Sequence, residues 1–179
     1  MKIPYDFSGK VCVITGGANG IGRCMVEKFA EAGAKIAFAD TDRELGEKVR
    51  QRLELLGTHC VFEWGDVGEK DFLQRFSAQV QASFGIVDIL IHNACLSRRG
   101  ILSGCEYEDF NYVLRVGVEA PYYLTRLLLP SLAEGASIIN IASTRAFQSQ
   151  PDTESYSAAK GGIAALTHAL SVSLSGRAR

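Results

Sequence analysis

The residues best able to do chemistry lie near the end of the chain, where a tyrosine and a lysine are four positions apart. Tyr156 and Lys160 fall in a segment with helical spacing, so they share one face about one turn apart. A lysine ammonium beside a phenol favours the phenolate, which makes a tyrosine a usable acid or base near neutral pH. Ser143 stands 13 residues before Tyr156, at the end of an apolar segment. The Tyr–Lys spacing is common by chance, so its meaning depends on the elements that position these side chains.

A second candidate site lies near the start of the chain, where a short apolar run is followed by a glycine-rich turn. Residues 11–14 are typical of a strand buried on both faces. After Thr15, the residues Gly16, Gly20 and Gly22 give the pattern G-x-x-x-G-x-G, and a predicted helix follows. Glycines permit positive φ and carry no Cβ, so backbone N–H groups at the helix start can approach a phosphate. The pattern predicts a pyrophosphate site, although an ordinary turn also explains three glycines in seven residues.

Alternating apolar and amphipathic segments predict five strands and five helices. The strands cover 11–14, 35–40, 59–63, 87–91 and 137–142; the helices cover 23–32, 42–56, 69–84, 107–132 and 155–175, with Pro121 bending or dividing the fourth. This alternation is typical of an α/β fold with a doubly wound parallel sheet and helices on both faces. Ligands of such sheets lie beyond the carboxyl ends of the strands. The candidate residues therefore share one rim: the glycine turn, Asp40, Asp66, Asn93 and Ser143.

The composition excludes several classes of protein. The chain has 179 residues, enough for one domain over 1–179, and its net charge of −1 gives no basic surplus for nucleic acid. No segment reads as a secretory signal or a membrane span. The five cysteines and three histidines are scattered without metal-ligand spacing. We therefore expect a cytoplasmic protein with reduced thiols, no metal site, and neither nucleic acid nor membrane as a partner.

These motifs together resemble the short-chain dehydrogenase/reductase family. The first turn matches the family's T-G-x-x-x-G-x-G, and Ser143, Tyr156 and Lys160 match its S…Y-x-x-x-K set. The resemblance covers residues 9–179 and implies a Rossmann-like fold. The family continues past this point with another strand, a P-G turn, a substrate loop and a final strand. We therefore expect a chain without the family's last strands, either a fragment or a short form, whose fifth strand is an exposed edge.

The resemblance also implies where a dinucleotide would bind. A carboxylate at Asp40, after the second strand, accepts adenosine ribose hydroxyls and repels a 2′-phosphate, so NAD is favoured over NADP; a role as helix cap is compatible with this. Neither Asn19 nor Thr41 supplies a cation, although Arg43 lies within reach in sequence. The family's D-V pair, which meets adenine, matches Asp66 and Val67. The implied cofactor contacts come from Thr15, Gly16, Asn19, Gly20, Ile21, Gly22, Asp40, Asp66, Val67, Asn93, Ala94, Tyr156 and Lys160.

Three positions depart from the family pattern. In the family's N-N-A-G element, Asn93 and Ala94 match, but His92 replaces the first Asn and Cys95 replaces the Gly. Gly117 stands where the family has an Asn that anchors a water relay to the lysine. These departures leave the predicted fold unchanged and concern turnover.

The resemblance implies hydride transfer between NAD(H) and a small secondary alcohol or ketone. Tyr156 would exchange a proton with the substrate oxygen, Ser143 would hydrogen-bond that oxygen, and Lys160 would act on the tyrosine and hold the nicotinamide ribose. The site would be bordered by Arg145, Phe147 and Gln148. The alternative is a non-catalytic dinucleotide-binding or scaffold protein. The family's two long helices pair between subunits, which implies a homodimer or homotetramer, whereas the apolar stripe alone equally fits an internal core.

Overall fold

A single parallel sheet organises the molecule. The computed structural model describes residues 5–179 and contains β1 (Val11–Thr15), β2 (Lys35–Asp40), β3 (Cys60–Trp64), β4 (Val87–His92) and β5 (Leu132–Asn140). Their order in the sheet is β3-β2-β1-β4-β5, with every neighbouring pair parallel. The chain builds outward from β1 to β3 and then returns to place β4 on the other side of β1. The strand order therefore reverses between β1 and β4, and their carboxyl ends define the expected ligand-binding crevice.

Six α-helices cover the two faces of this sheet. They are α1 (Gly20–Glu31), α2 (Arg43–Leu55), α3 (Lys70–Phe84), α4 (Tyr107–Leu114), α5 (Ala120–Leu128) and α6 (Glu154–Ser173). On one face Val26 and Leu53, from α1 and α2, pack with Phe38 of the sheet. On the other face Phe76 and Leu124, from α3 and α5, join a second apolar cluster. The predicted doubly wound α/β fold is confirmed. No helix within residues 5–179 is long and apolar enough to cross a bilayer.

Two element boundaries differ from the predictions because local contacts override the sequence pattern. Helix α1 begins inside the glycine turn, because Asn19 caps it by accepting a hydrogen bond from the Gly20 backbone N–H at 2.7 Å. The predicted long helix over 107–132 is divided, but not at Pro121. The division is a π-helical turn over Arg115–Glu119, and Pro121 fits the first turn of α5, where its missing N–H costs nothing.

The outer edge of β5 also differs from the prediction. The strand begins at Leu132, five residues earlier than expected, and its edge is partly covered. Residues 177–179 run beside it: the Arg179 N–H donates to the Ala136 carbonyl at 2.8 Å, and the Ile138 N–H donates to the Arg179 carbonyl at 2.7 Å. These bonds are the start of a further parallel pairing, so the expected exposed edge is covered in part.

Candidate active site

The glycine turn is built so that α1 approaches β1 closely. Gly16 and Gly20 have φ values of +71° and +55°, a region that side chains with a Cβ rarely adopt. A Cβ on Gly22 would lie 1.8 Å from the Gly16 carbonyl oxygen, so the first turn of α1 packs directly against the loop. The backbone at the start of α1 consequently lies close to the crevice, where the Gly20 N–H donates to the Asn19 side chain. Such a cradle fits a phosphate group.

The ends of β1 and β4 are held together by a set of crossed hydrogen bonds. The Thr15 hydroxyl oxygen accepts from the N–H groups of Asn93 and Ala94, each at 3.1 Å. In return the Asn93 carboxamide donates to the carbonyls of Thr15 at 3.1 Å and Gly16 at 2.9 Å. Thr15 is buried and Asn93 half-buried. These bonds fix the floor of the crevice, so Thr15 shapes the site from beneath rather than facing it.

Asp40 joins the two turns that border the crevice. Its carboxylate accepts from the Ala18 N–H at 2.9 Å and from the Asp42 N–H at 3.0 Å. The cap of α2 is Asp42, which accepts from the Leu45 N–H at 2.9 Å, so capping does not account for Asp40. The Arg43 guanidinium lies 5.2 Å from the centre of the Trp64 ring, stacked outside the crevice. The charge nearest the crevice at this end is therefore the Asp40 carboxylate.

A cavity of about 600 Å³ follows this rim of the sheet. Most of the predicted cofactor residues line it, and these are Gly16, Asn19, Gly20, Ile21, Gly22, Asp40, Asp66, Val67, Asn93 and Ala94. Ala39, Thr41, Gly65, Cys95, Leu96, Arg98, Tyr112 and Val116 complete the lining. Ser143, Tyr156 and Lys160 are not part of the lining. The structure thus brings ten of the predicted residues into one crevice and places the predicted reacting residues outside it.

Tyr112 and Arg98 are residues of the crevice that the sequence analysis did not identify. The Tyr112 hydroxyl donates to the Asp66 carboxylate, whose other oxygen accepts from the Gly68 N–H at 2.7 Å. Burial and the hydrogen bond to Asp66 raise the pKa of Tyr112 to about 12, so its hydroxyl keeps its proton. The Arg98 guanidinium lies over the Tyr112 ring at 5.3 Å. No pattern in the sequence pointed to either residue, because their places in the crevice depend on how α4 packs against the end of β3.

The predicted reacting residues lie where β5 ends and α6 begins. Lys160 is buried, and its Nζ donates to the Ile141 carbonyl at 2.6 Å. The same Nζ lies 5.6 Å from the centre of the Tyr156 ring, as the four-residue spacing on α6 predicts. The Ser143 hydroxyl oxygen accepts from the Arg145 N–H at 3.2 Å. A lysine, a tyrosine and a serine of the predicted types therefore stand around the end of β5.

Packing explains two of the three departures from the family pattern, those at His92 and Gly117. His92 turns into the core, where its Nε2 lies 3.0 Å from the Thr125 hydroxyl oxygen, and burial lowers its pKa to about 3. Gly117 lies in the π-helical turn, and a Cβ there would come within 2.8 Å of the Ala159 Cβ. Close packing on α6 thus leaves no room for a side chain at 117. Cys95 is half-buried in the crevice lining.

No cluster of three or more potential metal ligands occurs in the part of the chain that the structure describes.

The chain belongs to the short-chain dehydrogenase family, whose model matches residues 10–178. An uncharacterized oxidoreductase of Thermotoga maritima is 41% identical over 169 residues, which is 93% of this chain and 66% of that protein. The chain spans 58% to 66% of the length of this and two other oxidoreductases that it matches. Those relatives extend beyond the region described here.

Solved structures of the same family share the fold over nearly the whole chain. An apo SCOR enzyme from Clostridium thermocellum has a TM-score of 0.88 at 43% identity, covering 96% of this chain and 69% of that one. A short chain dehydrogenase/reductase from Burkholderia phymatum in complex with NAD has a TM-score of 0.90 at 30% identity, covering 97% and 64%. A short chain dehydrogenase from Burkholderia cenocepacia in complex with NADP has a TM-score of 0.90 at 27% identity, covering 95% and 70%.

Proposed function

We propose that this protein is an oxidoreductase that transfers a hydride between a nicotinamide dinucleotide and a small secondary alcohol or ketone. The observation that carries the proposal is a single rim of the sheet with two complementary parts. One part is the crevice with its glycine cradle, and the other is the Tyr156–Lys160 pair beside the end of β5. Membership of a family of oxidoreductases and the NAD-bound neighbour support the same chemistry.

The residues of the crevice fit a dinucleotide. The glycine cradle, closed to any Cβ at Gly22, suits the pyrophosphate, and about 600 Å³ suits an extended ligand of this size. Asp40 would bind the adenosine ribose. Asp66 and Val67 would contact the adenine. The nicotinamide would be held at the far end by Asn93, Ala94, Tyr156 and Lys160.

NAD is the proposed partner rather than NADP. The Asp40 carboxylate already accepts two backbone N–H groups, and an ionised carboxylate retains acceptor positions for ribose hydroxyls. A 2′-phosphate placed against it would be repelled by like charge. Arg43, the nearest cation in sequence that could offset this repulsion, is stacked on Trp64.

The bound nicotinamide would supply or accept the hydride, and the protein would manage the proton. We assign Tyr156 as the acid that protonates the substrate carbonyl oxygen in reduction and as the base in oxidation. Ser143 would donate a hydrogen bond to the same oxygen. Lys160, fixed by the Ile141 carbonyl, would place its ammonium beside the phenol and hold the nicotinamide ribose. Because no side chain fits at Gly117, proton supply to Lys160 would depend on backbone carbonyls and solvent.

The substrate side, the assembly and the location follow from the same proposal. Phe147 is 88% exposed and lies near Ser143. It provides an apolar border for a small substrate, with Arg145 and Gln148 in the same loop.

We propose a homodimer or homotetramer through α4–α5 and α6, because Tyr122 and Val172 leave apolar surface on these helices. We propose the cytoplasm as its location, since the five cysteines include no disulfide.

The test uses the full chain, a panel of small secondary alcohols with NAD, and the variant Tyr156→Phe. We expect turnover on at least one alcohol and a fall in kcat of about 10²- to 10⁴-fold in the variant, a much larger change than that in the Kd for NADH. The control is Tyr107→Phe, which alters an exposed phenol on α4 and leaves kcat unchanged. Undiminished turnover in Tyr156→Phe would refute the proton-transfer role. NADH binding without turnover on any alcohol would favour the non-catalytic alternative.

A further inference from the structure

The Asp66 carboxylate is held rigidly by two donors from different parts of the chain. The Gly68 N–H donates to its Oδ1 at 2.7 Å, and the Tyr112 hydroxyl donates to its Oδ2 from helix α4, 46 residues away. A Cβ on Gly68 would lie 3.1 Å from the Tyr112 ring and 3.2 Å from Asp66 Oδ1. The carboxylate and the phenol are therefore packed against each other with no spare room.

The Tyr112 ring is itself held in place by cations. The Arg98 guanidinium lies 5.3 Å from its centre and the Arg115 guanidinium 5.6 Å. Arg98 is in turn 3.7 Å from the Asp109 carboxylate. Asp66, Arg98 and Tyr112 all line the cavity, so this group forms part of the wall that a ligand would meet.

We infer that Tyr112 is a positioning residue that orients the Asp66 carboxylate to select adenine over purines with an oxygen at the same position. The inference rests on the proposed dinucleotide site. An ionised carboxylate is only an acceptor, with about four acceptor positions on its two oxygens. Tyr112 and Gly68 occupy two of them and fix the plane of the group. The remaining positions accept the exocyclic amino group of adenine, whereas the carbonyl oxygen of hypoxanthine would be repelled.

Replacing Tyr112 by Phe keeps the ring and its cation contacts but removes the hydroxyl. The Asp66 carboxylate then loses one of its two fixed donors and can turn toward water. Affinity for the adenine dinucleotide falls, but affinity for the hypoxanthine analogue does not fall in proportion. If Tyr112 were needed only for packing, its replacement would lower the affinity for both ligands equally. The ratio of the two affinities consequently distinguishes positioning from a general structural role.

The experiment measures Kd by fluorescence titration for NADH and for reduced nicotinamide hypoxanthine dinucleotide. We expect the wild-type chain to prefer NADH by about tenfold and Tyr112→Phe to reduce that preference to about twofold, since a hydrogen bond to a charged group is involved. Tyr107→Phe, which changes an exposed phenol on the same helix, keeps the wild-type ratio. Asp66→Asn, whose carboxamide can pair with either purine, brings the ratio close to one.

Two results would overturn the inference while leaving the proposed function intact. One is tight NADH binding with no preference over the hypoxanthine analogue in the wild-type chain. The other is a preference that Tyr112→Phe leaves unchanged although Asp66→Asn abolishes it. Absence of NADH binding by the wild-type chain is a different result, because it would refute the proposed function and the inference together.

Discussion

The crevice at the ends of β1, β2 and β4 differs from the region around Tyr156 in how its polar groups are held. In the crevice, three predicted polar side chains bond backbone groups in another part of the chain: Thr15 bonds Asn93, Asn93 bonds Thr15 and Gly16, and Asp40 bonds Ala18. Near the end of β5 only Lys160 is anchored in this way, to Ile141. Within residues 5–179, the Tyr156 hydroxyl has no hydrogen-bond partner, and Ser143 is engaged only by Arg145.

Under the proposed function, this difference would separate cofactor binding from chemistry. The crevice is held together by its own backbone, so its ligand affinity depends on close backbone packing more than on any one functional group. The Tyr156 region keeps a hydroxyl free, as a group that exchanges a proton with a substrate must be. Variants of the first region should therefore change cofactor affinity, and variants of the second should change turnover.

The largest effect on affinity is expected from Gly22→Ala. The new Cβ would lie 1.8 Å from the Gly16 carbonyl oxygen and 2.5 Å from the Asn93 carboxamide nitrogen, so the turn and α1 must move apart. Overpacking of this kind costs about 1 to 3 kcal/mol of stability. If the turn must recover its original geometry to bind NADH at the same cost, the affinity falls by about fivefold to 150-fold. The measurement is the Kd for NADH by titration.

The matched control for this change is Gly161→Ala on α6, where an added Cβ meets nothing within 4 Å. We expect its Kd for NADH to equal that of the wild-type chain. If Gly22→Ala binds NADH as tightly as the control, the glycine turn is not the phosphate cradle.

A smaller effect, on the preference for NADH over NADPH, is expected from Asp40→Asn. This variant keeps an acceptor for the Ala18 N–H but removes the negative charge of the carboxylate. The affinity ratio of NADH to NADPH should fall by about tenfold, because the repulsion of the 2′-phosphate is lost. Asp42→Asn, which alters the cap of α2 two residues away, should keep the wild-type ratio. An unchanged ratio in Asp40→Asn would remove Asp40 from the ribose site.

The smallest change in NADH affinity at neutral pH is expected from His92→Asn, which lies at the boundary between the two regions. Because burial lowers the pKa of His92 to about 3, the unfolded chain binds a proton below about pH 6.5 that the folded chain does not. The free energy of unfolding therefore decreases by about 1.4 kcal/mol per unit as the pH falls from about 6 to about 4.

The free energy of unfolding of the His92→Asn variant should lack this dependence on pH. Urea titrations at several pH values measure it. At neutral pH its Kd for NADH should match that of the wild-type chain. An equally steep pH dependence in the variant would show that other groups cause the acid sensitivity.

Much of the crevice could be predicted because parallel strands end on one rim. The spacing of Gly16, Gly20 and Gly22 after a buried strand, and an acid at the end of β2, depend only on local sequence and strand order. The Tyr112–Asp66 bond could not be predicted in this way, since it joins a helix to a loop through tertiary packing.

Packing between elements explains the other differences. The π-helical turn at Arg115–Glu119 and the contact of Gly117 with Ala159 depend on how closely two helices meet. The early start of β5 has the same origin. Residues 133–136 include Ala, Glu and Gly, which favour strands weakly. They lie in an irregularity between the Leu132 and Ser137 pairings with β4, and hydrogen bonds to residues 177–179 extend the strand through them.

The most direct test of a dinucleotide site on this rim is a titration of the full chain with NADH. Trp64 is the only tryptophan in the sequence and stands directly before Gly65 and Asp66 of the cavity lining, so its excitation should transfer energy to bound dihydronicotinamide. We expect saturable sensitised emission that ADP-ribose reverses by competition. Emission that rises without saturation, or that ADP-ribose leaves unchanged, would contradict the presence of the site.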